Sequence, residues 1–526
     1  MTSDRGLYGR FAATARRHPD AVALDIDGAR LTYAELEAVA GRLAGALVSA
    51  TGGRVPRRVG LLALRSPTAY AGYLAVQRLG ATVVPLHPDF PPSRTETVVA
   101  AAELDCVLAQ PQYADVALPV PVVAPDAVAT GGDRTDATDP TGHAPLAPVV
   151  ETDPEDVCYI LFTSGSTGTP KGVPIQQRSI AAYLDHVIDR YGIGVGDRLS
   201  QTFDLTFDLS VFDLFAAWGA GATLVVPGPG ELMAPTRFVA RERITHWFSV
   251  PSVISLAQRL RGLSPDSMPT LRWSLFCGEP LTTAQAGAWQ AAAPASVLEN
   301  LYGPTELTLS CTQFRLPAET DPQLPAGGTV PIGALLPGLE QLVVGEDGRP
   351  ADEGELCVRG VQRFPGYLDP ADNTARFYRY EAGDDHAVLA DPSGRPDADL
   401  WYRTGDRVRH GEDGLGHLGR LDHQVKVRGY RLELGEVESE LRAHPLVADA
   451  IAMVLPGRRG ETRLEAVCTG EGVDAADVLA TLRARLPEYM VPAALTVLTD
   501  LPLNANGKVD RSALRDLLVT TTTHAR

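Results

Sequence analysis

A short segment rich in glycine and hydroxyl groups is the clearest candidate for chemistry in this sequence. It reads Thr-Ser-Gly-Ser-Thr-Gly-Thr-Pro-Lys-Gly over Thr163–Gly172 and directly follows the apolar run Tyr159–Phe162. Glycines let backbone N–H groups approach an anion, hydroxyls add hydrogen-bond donors, and Lys171 adds a positive charge. The pattern predicts a phosphate-binding loop, and a flexible surface turn is the alternative. The candidate residues of this loop are Thr163, Ser164, Gly165, Ser166, Thr167, Gly168 and Lys171.

The loop does not fit the common mononucleotide-binding motif. That motif places Gly before its lysine and Ser or Thr after it, whereas Pro170 and Gly172 flank Lys171. Lysine is otherwise rare, since only three of the 47 basic residues are lysines, and all three lie in glycine-containing segments. A compact ammonium and a planar guanidinium do different chemistry. Lys171, Lys426 and Lys508 are therefore the basic residues to consider first as functional candidates.

Composition excludes several classes of protein. The 526 residues carry a formal net charge of −18, which argues against nucleic-acid binding because phosphate neutralisation needs a basic surface. No apolar run reaches the length of a membrane-spanning helix, and Met1–Arg10 lacks a signal-peptide core. The six cysteines include no Cys-x-x-Cys pair, so we expect free thiols and no zinc site. A cytoplasmic protein without membrane insertion is expected.

Apolar runs of strand length alternate with helical patterns, which favours parallel strands covered on both faces and an α/β class. These runs are Val59–Leu64, Thr82–Leu86, Val157–Phe162, Thr223–Pro227, Thr245–Val250 and Trp273–Cys277. Thr32 and Glu35 have the spacing of a capping box before a helix with apolar residues at helical spacing.

Domain boundaries are indicated by changes in composition. Residues 111–150 are rich in Pro, Ala, Asp, Thr and Gly and predict a loop or linker. Beyond Glu340, short strands dominate, with Asp347-Gly348 and Asp413-Gly414 as hairpin candidates. Residues 422–526 hold 13 basic and 15 acidic residues, so they are nearly neutral, whereas the rest of the chain is strongly acidic. We expect an N-terminal domain over 1–421 and a C-terminal domain over 422–526.

Six further segments, in order along the chain, join the phosphate-binding loop in resembling the adenylate-forming superfamily. This superfamily includes acyl-CoA synthetases, luciferases and the adenylation domains of nonribosomal peptide synthetases. The segments are Phe207–Val211, Asn300–Glu306, Gly354–Gly360, Tyr402–Asp406, Gly419–Gly429 and Asn504–Lys508. The resemblance runs from about Leu31 to Arg511. It implies a large core of parallel sheets with covering helices and a small β-subdomain, followed by a small, mobile α+β domain.

The resemblance also implies a site for ATP and Mg²⁺. Tyr302 would stack on adenine, Thr305 would hold a phosphate oxygen, and Glu306 would hold Mg²⁺ together with phosphates. Asp406 would accept hydrogen bonds from ribose hydroxyls, and Arg420 would help to hold the nucleotide. Asn300 and Gly303 complete the nucleotide-binding set. By themselves, Tyr302 and Asp406 are also compatible with a core tyrosine and a turn aspartate.

By the same resemblance, Lys508 would bridge the substrate carboxylate and the adenylate phosphate as negative charge develops. Thr163 and Glu306 are the other catalytic candidates, and Asp422 corresponds to the hinge between the two domains. Lys426 is compatible with a site residue or an exposed strand lysine.

Asp208 narrows the substrate class. In amino-acid adenylation enzymes an aspartate in this motif pairs with the substrate α-ammonium, and a buried carboxylate without a positive partner would be costly. The alternative is an aspartate that does not contact the substrate, either because it is exposed or because it supports a neighbouring residue. The substrate-pocket positions are Asp208, Leu209, Phe212, Ser249, Leu275, Cys277, Leu301, Leu309, Ser310 and Lys508. They include large apolar residues and resemble those of D-alanine–carrier-protein ligases near Cys277. A small neutral amino acid is therefore expected, with alanine favoured and serine, valine or proline behind it.

The resemblance therefore implies a stand-alone enzyme that forms aminoacyl-AMP and transfers the acyl group to the phosphopantetheine of a separate carrier protein. Natural-product biosynthesis is the expected setting. One alternative is an acyl- or aryl-CoA synthetase of the same fold, which Asp208 disfavours. A second is a catalytically silent scaffold or nucleotide-binding regulator, which is disfavoured by the joint presence of Lys171, Glu306, Asp406 and Lys508.

Overall fold

A computed structural model describes most of the chain, namely residues 6–125, 147–165, 169–317, 328–390, 394–422, 424–427, 429–456, 462–502 and 509–524. Ser166, Thr167, Gly168 and Lys508 lie outside these described residues. The chain divides into two structural units. The larger contains Met1–Pro88, Val99–Phe162 and Gly172–Leu421, and the smaller contains Asp89–Val98, Thr163–Lys171 and Asp422–Arg526.

The helices are α1 (Leu7–Arg17), α2 (Tyr33–Ala50), α3 (Pro67–Arg78), α4 (Pro92–Ala101), α5 (Gln177–Tyr191), α6 (Leu209–Ala220), α7 (Pro235–Glu242), α8 (Ser252–Arg259), α9 (Thr283–Ala292), α10 (Leu434–Arg442), α11 (Ala475–Arg483) and α12 (Arg511–His524). The first strands are β1 (Val22–Ile26), β2 (Ala29–Thr32), β3 (Arg58–Leu62), β4 (Thr82–Leu86), β5 (Cys106–Ala109), β6 (Val122–Val123), β7 (Val157–Thr163), β8 (Lys171–Gln176), β9 (Arg198–Ser200), β10 (Thr223–Val226), β11 (His246–Ser249), β12 (Trp273–Phe276), β13 (Val297–Tyr302), β14 (Thr312–Arg315) and β15 (Ala334–Leu335). The remaining strands are β16 (Leu339–Val344), β17 (Glu353–Gly360), β18 (Phe377–Arg379), β19 (Val388–Ala390), β20 (Trp401–Gly411), β21 (Gly414–Arg420), β22 (Gln424–Val427), β23 (Tyr430–Glu433), β24 (Asp449–Pro456), β25 (Thr462–Thr469) and β26 (Leu495–Leu498).

Two largely parallel sheets form the body of the larger unit. One has the order β15-β14-β13-β12-β11-β9-β10-β1-β2, and the other has the order β6-β5-β3-β4-β7-β8. The six apolar runs predicted as strands correspond to β3, β4, β7, β10, β11 and β12, and β3 pairs in parallel with β4 as β11 does with β12. Helices α2, α3 and α6 bury apolar residues against this body, so the predicted mixed α/β class is confirmed.

Local signals in the sequence account for several element ends. The predicted capping box opens α2, since the backbone N–H of Glu35 donates to Thr32 Oγ1 at 3.2 Å and the backbone N–H of Thr32 donates to Glu35 Oε2 at 2.9 Å. The predicted turn at Asp413-Gly414 joins β20 to β21, where Gly414 has a φ of 93°. A glycine is favoured there because residues with a Cβ avoid this conformation.

The third sheet of the larger unit is antiparallel and forms a small β-subdomain. Its order is β16-β17-β20-β18-β19, with β21 paired to β20. The smaller unit carries the hairpin β22-β23 and the sheet β24-β25-β26, whose apolar faces pack on α10 and α11. Among the described residues, no helix has both the length and the apolar character needed to span a bilayer.

Candidate active site

A cluster of charged and polar side chains lies at the junction of β20 and β21. Asp406 Oδ2 accepts a hydrogen bond from Tyr302 Oη at 2.7 Å and one from Arg420 Nη1 at 3.0 Å. Its Oδ1 is 2.9 Å from His417 Nε2. Arg420 Nη2 also donates to the backbone oxygen of Thr404. The structure therefore brings three of the predicted nucleotide-binding residues, Tyr302, Asp406 and Arg420, into one hydrogen-bonded group.

This environment keeps Asp406 ionised. Burial by itself would raise the pKa of its carboxyl group, but the hydrogen bond from His417 and the charge of Arg420 outweigh burial, so the pKa lies well below its usual value. A carboxylate has about four acceptor positions. Three protein partners therefore leave Asp406 with capacity for a further donor, such as a sugar hydroxyl.

A strand bulge makes this cluster possible. In the pairing of β20 with β21, Asp406 lies opposite Arg420 and Arg407 opposite Gly419, but Val408 lies opposite His417. Leu418 is therefore an extra residue on β21 and is substantially exposed. Strict alternation would put His417 and Arg420 on opposite faces, whereas the bulge turns both towards Asp406.

The segment after β13 carries Glu306, the predicted metal-binding residue. A Cβ atom at Gly303 would come within 2.6 Å of the Ser310 Cα, so only glycine fits between β13 and the returning chain. Glu306 is fully buried, and its Oε1 accepts a hydrogen bond from Tyr367 Oη at 2.5 Å. The backbone oxygen of Glu306 accepts a hydrogen bond from the N–H of Phe364 at 2.8 Å.

Glu306 fits a magnesium site of the kind shared with substrate phosphates. Mg²⁺ is commonly held by one or two carboxylates plus phosphate oxygens and water, so a cage of several acidic side chains is not required. The described residues contain no group of three or more His, Cys, Asp or Glu side chains that could hold a metal ion by themselves. Thr305, beside Glu306, is half-buried.

The chain then makes an unusual turn. Thr308 and Leu309 have φ angles of 59° and 68°, so two consecutive residues with side chains adopt the left-handed region. Each such residue costs about 1–3 kcal/mol, and the conformation persists only where surrounding contacts fix it. Both residues are fully buried. Leu309 and Ser310, two of the predicted pocket residues, are therefore held by a strained backbone.

Several of the other predicted pocket residues lie on neighbouring strands or directly after them. Strands β11, β12 and β13 are parallel neighbours, so their carboxyl ends meet at one edge of the sheet, where α/β proteins commonly bind ligands. Phe212 packs edge-on against Phe248 of β11 at 5.0 Å between ring centroids. The apolar pocket candidates all belong to the main buried cluster of the larger unit, and they are Leu209, Phe212, Leu275, Cys277, Leu301 and Leu309.

Asp208 lies at the amino end of α6, beside this cluster, and is 9% exposed. Tyr159 and Tyr183 are close enough to Asp208 for its charge to act on them: burial raises the pKa of both phenols, and the nearby carboxylate raises it further. Ser310 Oγ donates to Tyr183 Oη at 3.3 Å. Asp208 and Lys508 are the charged members among the predicted pocket residues.

Two predicted residues have side chains directed elsewhere. Ser249 Oγ accepts a hydrogen bond from the indole of Trp247 at 2.9 Å, on the face of the sheet where Trp247 and Phe276 form a separate cluster. Asn300 Nδ2 donates to the backbone oxygens of Val330 and Pro331. In this structure, Ser249 and Asn300 therefore stabilise the surroundings of the site.

The phosphate-binding loop belongs to the smaller unit. Ser164 Oγ donates to the backbone oxygen of Arg431 at 2.9 Å, and the N–H of Gly165 donates to Glu436 Oε2 at 3.2 Å. Glu436 also pairs with Arg94 at 2.8 Å. Burial raises the pKa of Glu436, while Arg94 opposes that shift. A phosphate that used the Gly165 N–H would therefore compete with a carboxylate of the chain itself.

The predicted phosphate-binding loop is closely packed at two positions. A Cβ atom at Gly165 would lie 2.0 Å from the Thr169 oxygen, so this position requires glycine. Lys171 is 7% exposed, which shows that this lysine is not a solvated surface residue. Thr163 ends β7, and Asp422 Oδ1 accepts a hydrogen bond from the N–H of Gln424 at the start of β22.

Several residues that contact the candidates were not predicted from the sequence. His417 and Tyr367 bond directly to Asp406 and Glu306, and Glu436 bonds to the phosphate-binding loop. His417 and Tyr367 lie within or beside the segments that carry the family resemblance, which is a signal that could have found them. Glu436 lies about 270 residues from its partner, so no local pattern indicates the contact.

Comparisons with known proteins agree with this architecture. Residues 11–368 match the AMP-binding enzyme family, and residues 436–508 match the AMP-binding enzyme C-terminal domain. The chain is 35% identical over 528 residues to phosphinothricin tripeptide synthetase PhsC of Streptomyces viridochromogenes, covering 98% of this chain but 45% of PhsC. It thus spans less than half of that relative's length.

Two further relatives match over nearly their whole length. The L-proline–[L-prolyl-carrier protein] ligase of Pseudomonas fluorescens is 34% identical over 526 residues, covering 97% of this chain and 98% of the ligase. The crystal structure of the Vibrio cholerae adenylation domain AlmE in complex with glycyl-adenosine-5'-phosphate is similar with a TM-score of 0.81 and 28% identity, covering 98% of each chain.

Proposed function

This chain belongs to the AMP-binding family of adenylate-forming enzymes, and we propose that it is an AMP-forming carboxylate–thiol ligase for amino acids. It would join an amino acid to AMP from ATP, release pyrophosphate, and pass the aminoacyl group to the phosphopantetheine thiol of a carrier protein. The observation that carries this proposal is Asp208, a buried carboxylate at the amino end of α6 among the predicted pocket residues.

Asp208 supports an amino-acid substrate because a carboxylate in the pocket can form an ion pair with a substrate α-ammonium group. Asp208 is largely buried, and an ion pair with a buried carboxylate is screened less by solvent than one at the surface. An acyl or aryl acid has no ammonium group with which to form this ion pair.

The first half-reaction is a displacement at phosphorus. An oxygen of the substrate carboxylate forms a bond to the α-phosphorus of ATP, and the bond between that phosphorus and pyrophosphate breaks. Lys508 would stabilise the negative charge that builds up between the two reactants. Thr163, Ser164 and Lys171 would hold the phosphates, and Tyr302, Asp406 and Arg420 would hold adenine and ribose. In the second half-reaction, a thiolate sulfur replaces AMP at the carbonyl carbon.

Mg²⁺ would be held by Glu306 together with the phosphate oxygens of ATP. When bound, it neutralises part of the phosphate charge. Tyr367 donates a hydrogen bond to Oε1 of Glu306 and so fixes the orientation of this carboxylate. Oxygen ligands of this type suit Mg²⁺, so the donor set is chemically appropriate.

The pocket residues favour a small neutral side chain, and we take alanine as the preferred substrate. Phe212, Leu275 and Leu301 are large and almost fully buried, and Cys277 lies in the same apolar cluster, so these residues favour a small substrate side chain over a large one. A charged side chain would lack a partner there. The names of the relatives support small or compact amino acids, since one is a prolyl-carrier protein ligase and another carries glycyl-adenosine-5'-phosphate. The similarity to PhsC supports a role in natural-product biosynthesis.

Amino-acid-dependent exchange of pyrophosphate into ATP tests this function. The assay should cover common L- and D-amino acids, β-amino acids, fatty acids and aryl acids, with and without a phosphopantetheinylated carrier protein or free CoA. Exchange that depends on a small amino acid, followed by loading of a carrier protein, is expected. Exchange with fatty or aryl acids alone, and transfer to free CoA, would instead identify an acyl- or aryl-CoA synthetase. The absence of exchange with every acid would favour a scaffold or regulatory role.

A further inference from the structure

One side chain, Gln362, bonds to the left-handed turn at Thr308–Leu309, in addition to backbone hydrogen bonds such as that from the Ser310 N–H to the Thr308 oxygen at 2.9 Å. The two hydrogens on its Nε2 are shared among the backbone oxygens of Leu307 at 3.1 Å, Thr308 at 3.3 Å and Ser310 at 2.9 Å. In return, Thr308 Oγ1 donates to the backbone oxygen of Gln362 at 2.7 Å. The Gln362 amide thus lies beside three backbone carbonyl groups of the turn.

Gln362 is suited to this work because it is buried and its backbone is held on both sides. The residue is 1% exposed, which shields its amide from solvent. The loop before it is fixed by Ser179 Oγ, which donates to the backbone oxygen of Val361 at 2.8 Å. The loop after it is fixed by the hydrogen bond between the Phe364 N–H and the Glu306 oxygen. The turn is therefore bonded to a segment that is itself fixed on both sides of Gln362.

The two ends of the turn have different supports. Glu306, at the nucleotide end, is oriented by Tyr367. Leu309 and Ser310, at the pocket end, depend on the Gln362 amide, and Ser310 Oγ extends the contact to Tyr183. Loss of Gln362 would therefore release the pocket end and leave the hydrogen bond to Glu306 in place.

We propose that Gln362 is a positioning residue for amino-acid selectivity: it holds the wall formed by Leu309 and Ser310 in the shape that limits substrate size. This inference rests on the proposed function. Without the amide, the strained backbone relaxes, the wall shifts, and the pocket loses its fit to a small side chain. ATP binding, which uses the other end of the turn, is retained.

The test compares Gln362→Met with Gln77→Met. Gln77 is also buried and also donates to backbone, to Cys158 at 2.6 Å, but it contacts none of the residues of the turn. Pyrophosphate exchange should give the KM for the amino acid, the KM for ATP and the rate ratio between the preferred amino acid and its next larger homologue. Hydrogen exchange of peptides spanning residues 303–312 should be measured on the same proteins.

For Gln362→Met we expect the amino-acid KM to rise about tenfold, as for loss of a buried hydrogen-bond group, and the size preference to weaken several-fold. The ATP KM should stay within about twofold, and hydrogen exchange in 303–312 should accelerate. Gln77→Met should change none of these ratios. Equal effects of both variants, or equal rises in both KM values, would show a merely structural role and overturn the proposal.

A second variant covers the case in which Gln362→Met does not fold. Thr308→Val removes only the hydroxyl that bonds to the Gln362 oxygen, so it should raise the amino-acid KM in the same direction by a smaller factor. An unchanged amino-acid KM in Thr308→Val would also overturn the proposal. If the wild-type protein shows no amino-acid-dependent exchange, the proposed function fails, but hydrogen exchange of 303–312 still decides whether Gln362 holds the turn.

Discussion

The proposed nucleotide half and the proposed amino-acid half of the candidate site are built on opposite principles. Around Asp406, charged and polar groups bond to one another. Cys277 lies instead in the main apolar cluster of the larger unit, and Asp208 is the charged pocket candidate among the residues that the structure describes. Hydrogen-bonding groups select a ligand whose own donors and acceptors pair with theirs, whereas an apolar wall selects a ligand by its volume.

This difference predicts a difference in sensitivity. Removal of a charged partner from a buried group costs several kcal/mol, while one methylene in an apolar pocket is worth about 1–3 kcal/mol. Substitutions of charged residues should therefore abolish steps of the reaction, and substitutions of apolar residues should change only the ranking of substrates. The substrate selectivity of the apolar half should also depend more on the position of its backbone than ATP binding in the polar half does.

Lys508→Ala should have the largest effect, because this ammonium would connect the two halves. Adenylate formation should fall by about two orders of magnitude or more, corresponding to about 3 kcal/mol of transition-state stabilisation. Transfer of the aminoacyl group from a pre-formed aminoacyl-adenylate should survive much better. Single-turnover measurements of each half-reaction check this. Equal damage to both half-reactions would assign Lys508 a structural role.

Asp208→Asn should have the next largest effect, and it should be confined to the amino-acid half. The substrate ammonium would lose its counter-charge, so kcat/KM for the amino acid should fall by about 30-fold or more, within the range measured for removal of one member of a buried ion pair. The ATP KM should stay unchanged. Steady-state pyrophosphate exchange with each substrate varied in turn checks this. A loss that appears in the ATP KM instead would contradict the assignment.

His417→Leu should act on the nucleotide half. It removes the hydrogen bond that contributes most to the depressed pKa of Asp406, so that pKa should rise and the carboxylate should lose part of its orientation. We expect the ATP KM to rise about tenfold, as for a lost charge-assisted hydrogen bond, with no change in amino-acid selectivity. Arg409→Leu, an exposed substitution on the neighbouring strand, is the control. A change in selectivity would show that the two halves are not independent.

Cys277→Ala should have the smallest effect and should change the substrate ranking. In the wild-type protein, alanine should give the highest exchange rate, and glycine should lose about 0.8 kcal/mol, the burial of one methyl group. Larger side chains should pay an overpacking cost of about 1–3 kcal/mol, which the variant relieves. Relative exchange rates across an aliphatic series check this. A wild-type preference for phenylalanine or a β-amino acid would show that the pocket is not small.

Local patterns in the sequence predicted the framework well. The six apolar runs became strands because a buried parallel sheet needs continuous apolar residues, and β4 matches its predicted run, Thr82–Leu86, from end to end. The capping box of α2 formed because its two hydrogen bonds lie within four residues. Such signals depend only on neighbours along the chain.

The site was predictable in part, and the limits have physical reasons. Tyr302, Asp406 and Arg420 were identified from motifs and do meet, but the bulge that adds His417 to them breaks the alternation of the strand. The Ser249 side chain shares a face of the sheet with Trp247 because alternate residues of β11 point to the same side. The sequence does not show which of the two faces lines the site. Gln362 bonds to backbone carbonyls some 50 residues away. Every residue has a backbone carbonyl, so the sequence does not indicate which of them a side chain will bond to.

The bulge also makes Leu418 a spacer, since it lies opposite no residue of β20 in the strand pairing. This leucine is 45% exposed, so most substitutions there should be tolerated. Deletion of the same residue would put His417 two residues before Arg420, and residues at that spacing share one face of a regular strand. The constrained feature of this strand is therefore the face that His417 and Arg420 share, and a functional lineage could keep it with the bulge or with a strand that is one residue shorter.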